Sequence, residues 1–437
     1  MSIKINWRTL PTHIGIVATF LAIPLWLRLP ALPFGFAPLY VSGFMLVLPL
    51  LFTIISWFLS GMPGWARFKA SDIRAGWAVA LLGIALWMYG SSGWAFMAGR
   101  DPSIALSATV QFGLVALLAL ATACAAPPPG VIIAALIFGL VWNSALAGAQ
   151  VALQSSVGLT ALGEFPLNIT QAGVGLLQAG DVRWLRPYGL LSHPNVLAGF
   201  MVVGLLALTD WLTSPRGRVH WLALLILIGT LWAFLLTFSR GSYLALAVGA
   251  VFLLPLLWRA KRAQHGLGTA LLVAVMVGVS FFILYRPLLL ARAGVGAEDI
   301  EVFSVGERAL LLQTAARAIS ESPILGVGAG SFPWRASYYF FFDDVPIRGN
   351  NVHHVLMSVW AELGIVGLGL FVAATVLGVE AVFKHIRAND SASTERGVLL
   401  AGFIALGIIG LVDHYPYSMI QMQTLWWGIL AVAMRPT

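Results

Sequence analysis

The sequence predicts an all-α polytopic membrane protein with about twelve transmembrane helices. Three observations carry this expectation. Of 437 residues, 59% are hydrophobic and 10% charged, whereas a soluble domain carries about 25% charged residues. Mean hydropathy is +0.90. Apolar runs of about 20 residues, the length that crosses a hydrocarbon core, recur along the whole chain. A soluble chain of this length needs far more polar surface. Composition therefore excludes a soluble enzyme, a disordered chain and a nucleic-acid binder.

The runs fall near 13–32, 38–59, 75–98, 104–125, 130–149, 190–211, 220–237, 241–258, 267–285, 354–382, 397–413 and 417–433. Lys4 and Arg8 precede the first run as they would a signal peptide. It lacks a small-residue cleavage site and further spans follow, so a retained anchor is expected. Pro127-Pro128-Pro129-Gly130 divides the fourth run from the fifth, because prolines remove backbone donors and force a turn. The short seventh and eighth runs are divided only by Phe238-Ser239-Arg240-Gly241. The single cysteine, Cys124, cannot form an intrachain disulfide or a metal site, and is expected as a small buried hydrophobe. No internal repeat is visible. The chain reads as one membrane domain over 1–437, with two long connections at 150–189 and 286–353.

The charges orient the bundle. With the N-terminus inside, the inner loops collect Lys4, Arg8, Arg67, Lys69, Arg74, Arg216, Arg218, Arg259, Lys261, Arg262, Lys384, Arg387, Arg396 and Arg435. These are 14 of the 25 basic residues and include every lysine. Positive charge in short loops marks the inner side, so both termini are expected inside and both long connections outside. The other eleven basic residues are all arginines: Arg28, Arg100, Arg183, Arg186, Arg240, Arg286, Arg292, Arg308, Arg317, Arg335 and Arg348. Arginine offers a fixed fork of donors suited to phosphate oxygens. An arginine-rich composition is the plainer explanation for any one of them.

In the second long connection, Ser304-Val305-Gly306-Glu307 has capping-box spacing and predicts a helix that stops at Ser322-Pro323. Arg308 then falls in its first turn, where the helix dipole disfavours a cation unless Arg308 and the N-terminus together bind an anion. Gly326-Val327-Gly328-Ala329-Gly330-Ser331 reads as a turn, since it lacks the Lys-Ser/Thr of a phosphate loop.

Chemistry-bearing residues gather at the outer ends of the spans. His353 and His354 open the tenth span, and a histidine at a membrane–water boundary can serve as general base. Adjacent histidines diverge by about 100° on a helix, so one of the pair faces a site. An interfacial histidine bonded to a loop is the simpler alternative. Glu362 lies nine positions beyond His353, about 13 Å deeper, where an acid must face protein or water. A role in helix packing is preferred for it. Arg186-Pro187-Tyr188-Gly189-Leu190-Leu191-Ser192-His193-Pro194-Asn195 enters the sixth span, Thr237 to Ser242 turns between the seventh and eighth, and Asp413-His414-Tyr415-Pro416 turns between the eleventh and twelfth. Each could be a solvated turn, but they coincide on one face. Asp343-Asp344 and Glu298, Asp299 and Glu301 have no metal-ligand spacing and read as solvated acidic turns, so no metal is expected.

Taken in order, Arg186 to Asn195 with its Pro-Asn core, Ser239-Arg240-Gly241, Glu307-Arg308, Pro323 to Gly330 and His353 to Gly364 resemble the O-antigen ligase family. That family is related to O-antigen polymerases and protein O-oligosaccharyltransferases. The last stretch matches a His-Asn-x-x-Leu-like opening and an Ala-Glu-x-Gly ending. The motifs are short, but their order and spacing cover most of the chain. The resemblance implies a GT-C-like membrane glycosyltransferase of the bacterial inner membrane with a helical periplasmic loop and a periplasmic site. It implies metal-independent, inverting transfer of a glycan from undecaprenyl pyrophosphate to lipid A-core, without cofactor or nucleic acid. By resemblance His353 is the base, Arg240 and Arg308 hold the pyrophosphate, and Asp413 matches an acidic residue near the last outer turn. Arg186, His193, Asn195 and His354 are expected to contact substrate. Two departures stand out. His354 occupies a place where the family often has asparagine, which leaves the choice of base between the two histidines open, and His193 precedes Pro-Asn where an amide or small residue is usual.

Two alternatives remain at this level. A polymerase or protein O-glycosyltransferase would share the donor and differ in acceptor. A transporter would need ionisable residues near mid-membrane, where only Glu362 qualifies.

Overall fold

The computed structural model describes residues 7–25, 44–69, 71–97, 101–171, 173–180, 182–213, 220–259, 266–294, 299–343, 349–387 and 392–435. Lys4, Arg28, Arg100, Arg216, Arg218, Lys261, Arg262, Glu298, Asp344 and Arg348 lie outside the described residues, as do the side chains of Asp299, Glu301 and Ser304.

Helices occupy all twelve apolar runs. They are α1 (Leu10–Ala22), α2 (Phe44–Leu59), α3 (Ile73–Met97), α4 (Pro102–Ala125), α5 (Pro129–Leu153), α6 (Pro194–Leu212), α7 (His220–Leu235), α8 (Arg240–Arg259) and α9 (Leu267–Arg292). After α10 (Asp299–Glu321) and α11 (Phe332–Phe342), which fall in the second long connection, come α12 (Val355–Arg387), α13 (Ser393–Gly410), the single turn α14 (Tyr415–Ser418) and α15 (Ile420–Ala433). Among the described residues, eight helices are long and apolar enough to cross a membrane: α3 to α6, α8, α9, α12 and α13. The chain is a mostly helical polytopic membrane protein.

Burial follows composition. In α6, which is apolar all round, 83% of the most hydrophobic window is enclosed by other helices, against 11% in α9. A helix apolar on every side belongs either at the centre of a bundle or against lipid, and the two take these opposite places. Helices α6, α13 and α15 form the centre, with α8, α4 and α12 packed around them. The proline run breaks the chain as expected: α4 ends at Ala125, Ala126 turns with φ 54°, and α5 starts at Pro129. Cys124 is buried beside Trp57 and Ala121.

The two long connections lie at one end of the bundle. The first contains a hairpin absent from the sequence reading, β1 (Leu176–Ala179) antiparallel to β2 (Val182–Leu185), with Leu177 opposite Trp184. Its fold is pinned by Glu164, whose carboxylate accepts from the backbone N–H groups of Val157, Gly158 and Leu159 at 2.6–2.8 Å and from Gln150 Nε2 at 2.9 Å. Burial opposes that charge, but these four donors outweigh it and lower the carboxyl's pKa.

The second connection starts later than expected, since α9 runs on to Arg292. Its helix α10 begins at Asp299 rather than at Ser304, so the capping-box reading is wrong and Arg308 sits nine positions inside the helix. A helix N-terminus is not what accompanies Arg308. Helices α10 and α11 pack through Leu311, Ala315, Ala318, Phe332, Ala336 and Phe340. Arg317 pairs with Asp343 at 2.9 Å and lies 4.1 Å over the Tyr339 ring, while Arg335 pairs with Glu321, so these two arginines hold α10 to α11.

Residues 323–330 dock into a break in α12. Gly364 has φ 66° and ψ −172°, and a Cβ there would sit 1.9 Å from the carbonyl oxygen of Ile324. Only glycine accepts both that conformation and that approach. Glu362 fixes the same joint: it accepts from the N–H of Gly330 (3.0 Å) and of Phe332 (3.4 Å) and from Tyr417 Oη (3.0 Å). These contacts are the packing role expected of it.

Candidate active site

Four chain segments converge at the loop-bearing end of the bundle. The segment Arg186–Asn195 is fixed by Gln150, whose Oε1 accepts from the N–H groups of Tyr188 and Gly189, each at 2.9 Å. Asn143 Oδ1 accepts from Leu190 N–H at 3.1 Å. His193 caps α6, its Nδ1 accepting from Asn195 N–H at 3.1 Å. Burial and the Arg186 charge push the His193 pKa down to about 3, so the ring is neutral and free to accept.

Asp413 is the hub. Its Oδ1 accepts from His353 Nδ1 at 3.1 Å and from His414 N–H at 2.9 Å, and its Oδ2 accepts from Asn195 Nδ2 at 3.0 Å. Burial alone would raise its pKa. The bond from His353 and the charges of His414, His353 and Arg308 outweigh burial and hold the carboxyl well below the usual carboxylate range. His414 stands 5.1 Å from His353, ring centroid to centroid, and its Nδ1 lies 2.7 Å from Ser418 Oγ. Burial, partly opposed by Asp413, takes its pKa down to about 4.

The geometry separates the two adjacent histidines. His353 precedes α12 and reaches Asp413 with its side chain 18% exposed. His354 instead turns back on α12, its Nδ1 accepting from Met357 N–H at 3.3 Å. A carboxylate can only accept, so the Nδ1 of His353 carries a proton, and in the neutral ring the lone pair is on Nε2.

Beside Asp413 opens a cavity of about 320 Å³ lined by Asn195, Ser239, Arg240, Arg292, Arg308 and Asp413 among others. Arg240, the first residue of α8, follows the strained turn at Phe238 (φ 49°). Its Nη1 donates to the carbonyl of Arg292 at 2.6 Å, and Arg292 Nε donates to the carbonyl of Phe238 at 3.2 Å. Three guanidinium groups on α8, α9 and α10 thus line one cavity. Three fixed arginine forks suit a polyanionic group such as a pyrophosphate.

Of the sequence-derived residues, the structure brings together Arg240, Arg308, Asn195 and Asp413 on this cavity, with His353 bonded to Asp413. Arg186 and His193 lie behind it, and His354 points to its own helix. Three site residues escaped the sequence reading. Arg292 counted only as one outer arginine among eleven, and Gln150 and Glu164 carried no motif. Asp343 is tied to Arg317, as a paired surface acid. Among the described residues, those able to hold a metal are His353, Asp413 and His414, whose ligand atoms lie within 4.8 Å of one another, a grouping that ligand spacing along the chain does not reveal.

Residues 222–372 match a family model described as O-antigen ligase. That stretch runs from α7 into α12 and holds Arg240, Arg292, Arg308 and His353, while Arg186, Asn195 and Asp413 come from outside it. No relative was found among curated proteins. The match over 222–372 supports an O-antigen ligase family assignment, a family whose members are glycosyl-transferring enzymes.

Proposed function

We propose that the protein ligates O-antigen polysaccharide from undecaprenyl pyrophosphate onto a sugar hydroxyl of lipid A-core. The reaction takes place at the periplasmic face of the inner membrane, with twelve spans and both termini in the cytoplasm. The observation that carries this reading is the placing of Arg240, Arg292 and Arg308 on one cavity with Asp413, which holds His353.

In this reading the acceptor hydroxyl gives its proton to His353 Nε2 as its oxygen bonds to the anomeric carbon. The bond from that carbon to the phosphate oxygen breaks, and the pyrophosphate departs with the electron pair. Its growing negative charge falls on the three arginines, which are aimed at the cavity before the reaction starts. Pyrophosphate is a stable anion, so a protonating acid is unnecessary. A single displacement inverts the anomeric centre. Proton removal by a placed base contributes about 10²–10⁴-fold.

The test is transfer by the purified protein from undecaprenyl-linked glycan, with lipid A-core, a second donor molecule or a pilin-like protein as acceptor. Product on lipid A-core alone supports ligation, whereas product on either other acceptor reassigns the protein to polymerase or protein glycosylation. Covalent product at none of them, with lipid-linked glycan crossing proteoliposomes, makes it a transporter. The chemistry as written needs no divalent metal. Loss of transfer in chelator with rescue by added metal would place an ion on His353, Asp413 and His414 and overturn that part.

A further inference from the structure

Helix α11 is apolar on two opposite sides. Phe332, Ala336, Tyr339 and Phe340 are buried in the packing with α10, whereas Trp334, Tyr338, Phe341 and Phe342 are 65%, 52%, 80% and 65% exposed. At about 100° per residue these four exposed side chains share one stripe roughly 100° wide. Tyr338 and Phe342 have ring centroids 4.6 Å apart, and Phe341 and Phe342 5.3 Å, so the rings form one aromatic surface. A patch of this kind is not stable facing water without a partner. Its height on the bundle follows from the break in α12. Glu380 and Lys384 form an exposed ion pair near the far end of that helix. Gly364 lies about 24 Å before Glu380 along the helix axis. A hydrocarbon core is about 30 Å thick, so the break falls inside it, close to the boundary at the loop-bearing end. The carbonyl of Pro323 is held at this level, accepting from Ile365 N–H at 2.9 Å and from Trp360 Nε1 at 3.2 Å, and the next two residues, Ile324 and Leu325, are exposed. Helix α11 starts from the same joint, where Phe332 N–H donates to Glu362.

We propose that the aromatic stripe of α11, together with Ile324 and Leu325, is seated in the membrane leaflet at the loop-bearing end of the bundle. The second long connection then rests on lipid instead of standing in water. The residue types suit that place: tryptophan and tyrosine collect where an apolar ring meets lipid and a polar edge meets headgroups and water. The stripe itself carries no charge. Arg335 flanks it and turns away to Glu321 on α10. The lipid-facing surface also continues past the loop, since Gly328 packs beside Ala95 and the following residues Phe96 and Met97 end α3 exposed. Seated in this way, α11 holds α10 through Arg317–Asp343 and Arg335–Glu321. Helix α10 in turn carries Arg308 to the cavity beside Asp413, so the lipid contact fixes the place of one cavity arginine whatever the cavity binds.

The experiment uses the full chain in nanodiscs. Cys124→Ala clears the one native thiol, and Trp334→Cys, Phe341→Cys or Gln313→Cys then carries a small fluorophore. Gln313 is an exposed polar residue of α10 and serves as the reference for water. Two quenchers are compared: a phospholipid with a nitroxide near the top of its acyl chain, and iodide in the buffer. The labels at positions 334 and 341 are expected to be quenched several-fold more strongly by the lipid nitroxide than the label at 313, and several-fold less by iodide. Iodide quenching at 341 equal to that at 313 overturns the proposal, because the stripe then stands in water. Shielding from both quenchers overturns it in favour of a protein contact, and a doubled protein mass per particle would identify a second copy of the chain as that contact. Each labelled chain is first required to melt like native protein in detergent. The two stripe positions test the same face separately, so if one variant fails to fold the other decides. None of these readouts depends on transfer, so the ligase reading and the lipid seat fail independently.

Discussion

Asp413 Oδ1 lies 3.1 Å from His353 Nδ1, joining the turn after α13 to the residue that precedes α12, 60 positions earlier. In the neutral ring the bond leaves the lone pair on Nε2. His353→Ala is therefore expected to lose about 10²–10⁴-fold in transfer rate, the usual contribution of a placed base. Asp413→Asn should lose nearly as much, because an amide nitrogen facing Nδ1 favours the opposite tautomer. His354→Ala, which removes only a contact to the first turn of α12, should cost stability rather than rate. A native rate in His353→Ala alongside a collapsed rate in His354→Ala would exchange the two assignments.

The three cavity arginines make a different kind of prediction. A hydrogen bond to a charged group contributes about 1.5–3 kcal/mol net, or roughly 10–100-fold in affinity. Arg292→Gln is expected to weaken binding of an undecaprenyl pyrophosphate analogue by that factor, comparable with Arg240→Gln and Arg308→Gln. Lysine at any of the three should restore little, since a point charge does not replace a fork. Arg317→Gln, whose partners are Asp343, Glu321 and the Tyr339 ring, serves as the control and should bind normally. Calorimetric titration of the analogue decides it. Native affinity in Arg292→Gln would remove that residue from the site.

The apolar helices were legible because hydrophobicity is a local property: each apolar run holds a helix, and among the described residues eight of these are long and apolar enough to cross a membrane. The long loops were less so. The start of α10 was misplaced because the Ser304–Glu307 spacing imitates a capping box inside a helix that has already begun at Asp299. The hairpin β1–β2 is only four residues a side and is held by Gln154 of a neighbouring segment, whose Oε1 accepts from Leu185 N–H, which no pattern in the strands announces. At the site, charge and position at the outer span ends drew attention to the segments holding Arg240, Arg308, His353 and Asp413, and the family resemblance supplied their expected roles. What they touch depends on long-range folding, so the places of Arg186 and Asn195 and the entry of Arg292 emerge only in three dimensions.

Acid should destabilise the protein through two histidines that are held neutral in the folded state. Folded-state values of about 3 for His193 and about 4 for His414 lie below the unfolded value of about 6.5. Between about pH 6.5 and 4 the unfolded chain therefore binds more protons, and stability falls as pH falls. Each histidine contributes at most about 1.4 kcal/mol per pH unit across that window. Asp413, with its lowered pKa, contributes stability that is lost only at lower pH. Thermal unfolding in detergent should show a Tm clearly lower at pH 5 than at pH 7.5, and His193→Asn, which keeps a capping acceptor, should flatten the difference. A Tm independent of pH over this interval would contradict the burial of both rings.

The Glu362–Gly364 joint couples the second long loop to the site, because Tyr417, which donates to Glu362, lies four residues after Asp413. Gly364→Ala forces a Cβ into the Ile324 carbonyl and an L-residue into a glycine conformation, a backbone cost of about 1–3 kcal/mol before any clash. The loop should yield rather than α12, whose helical bonds on both sides of the break are independent of it. Limited proteolysis is expected to open Gly364→Ala between Ser322 and Phe332 while the bundle stays intact. Glu362→Ala removes the acceptor of two N–H groups and one hydroxyl, so it should open the same segment and, by freeing Tyr417, lower transfer without weakening donor binding. Protection of that segment in both variants, or loss of the whole fold in Glu362→Ala, would show that the joint does not act as a local tie.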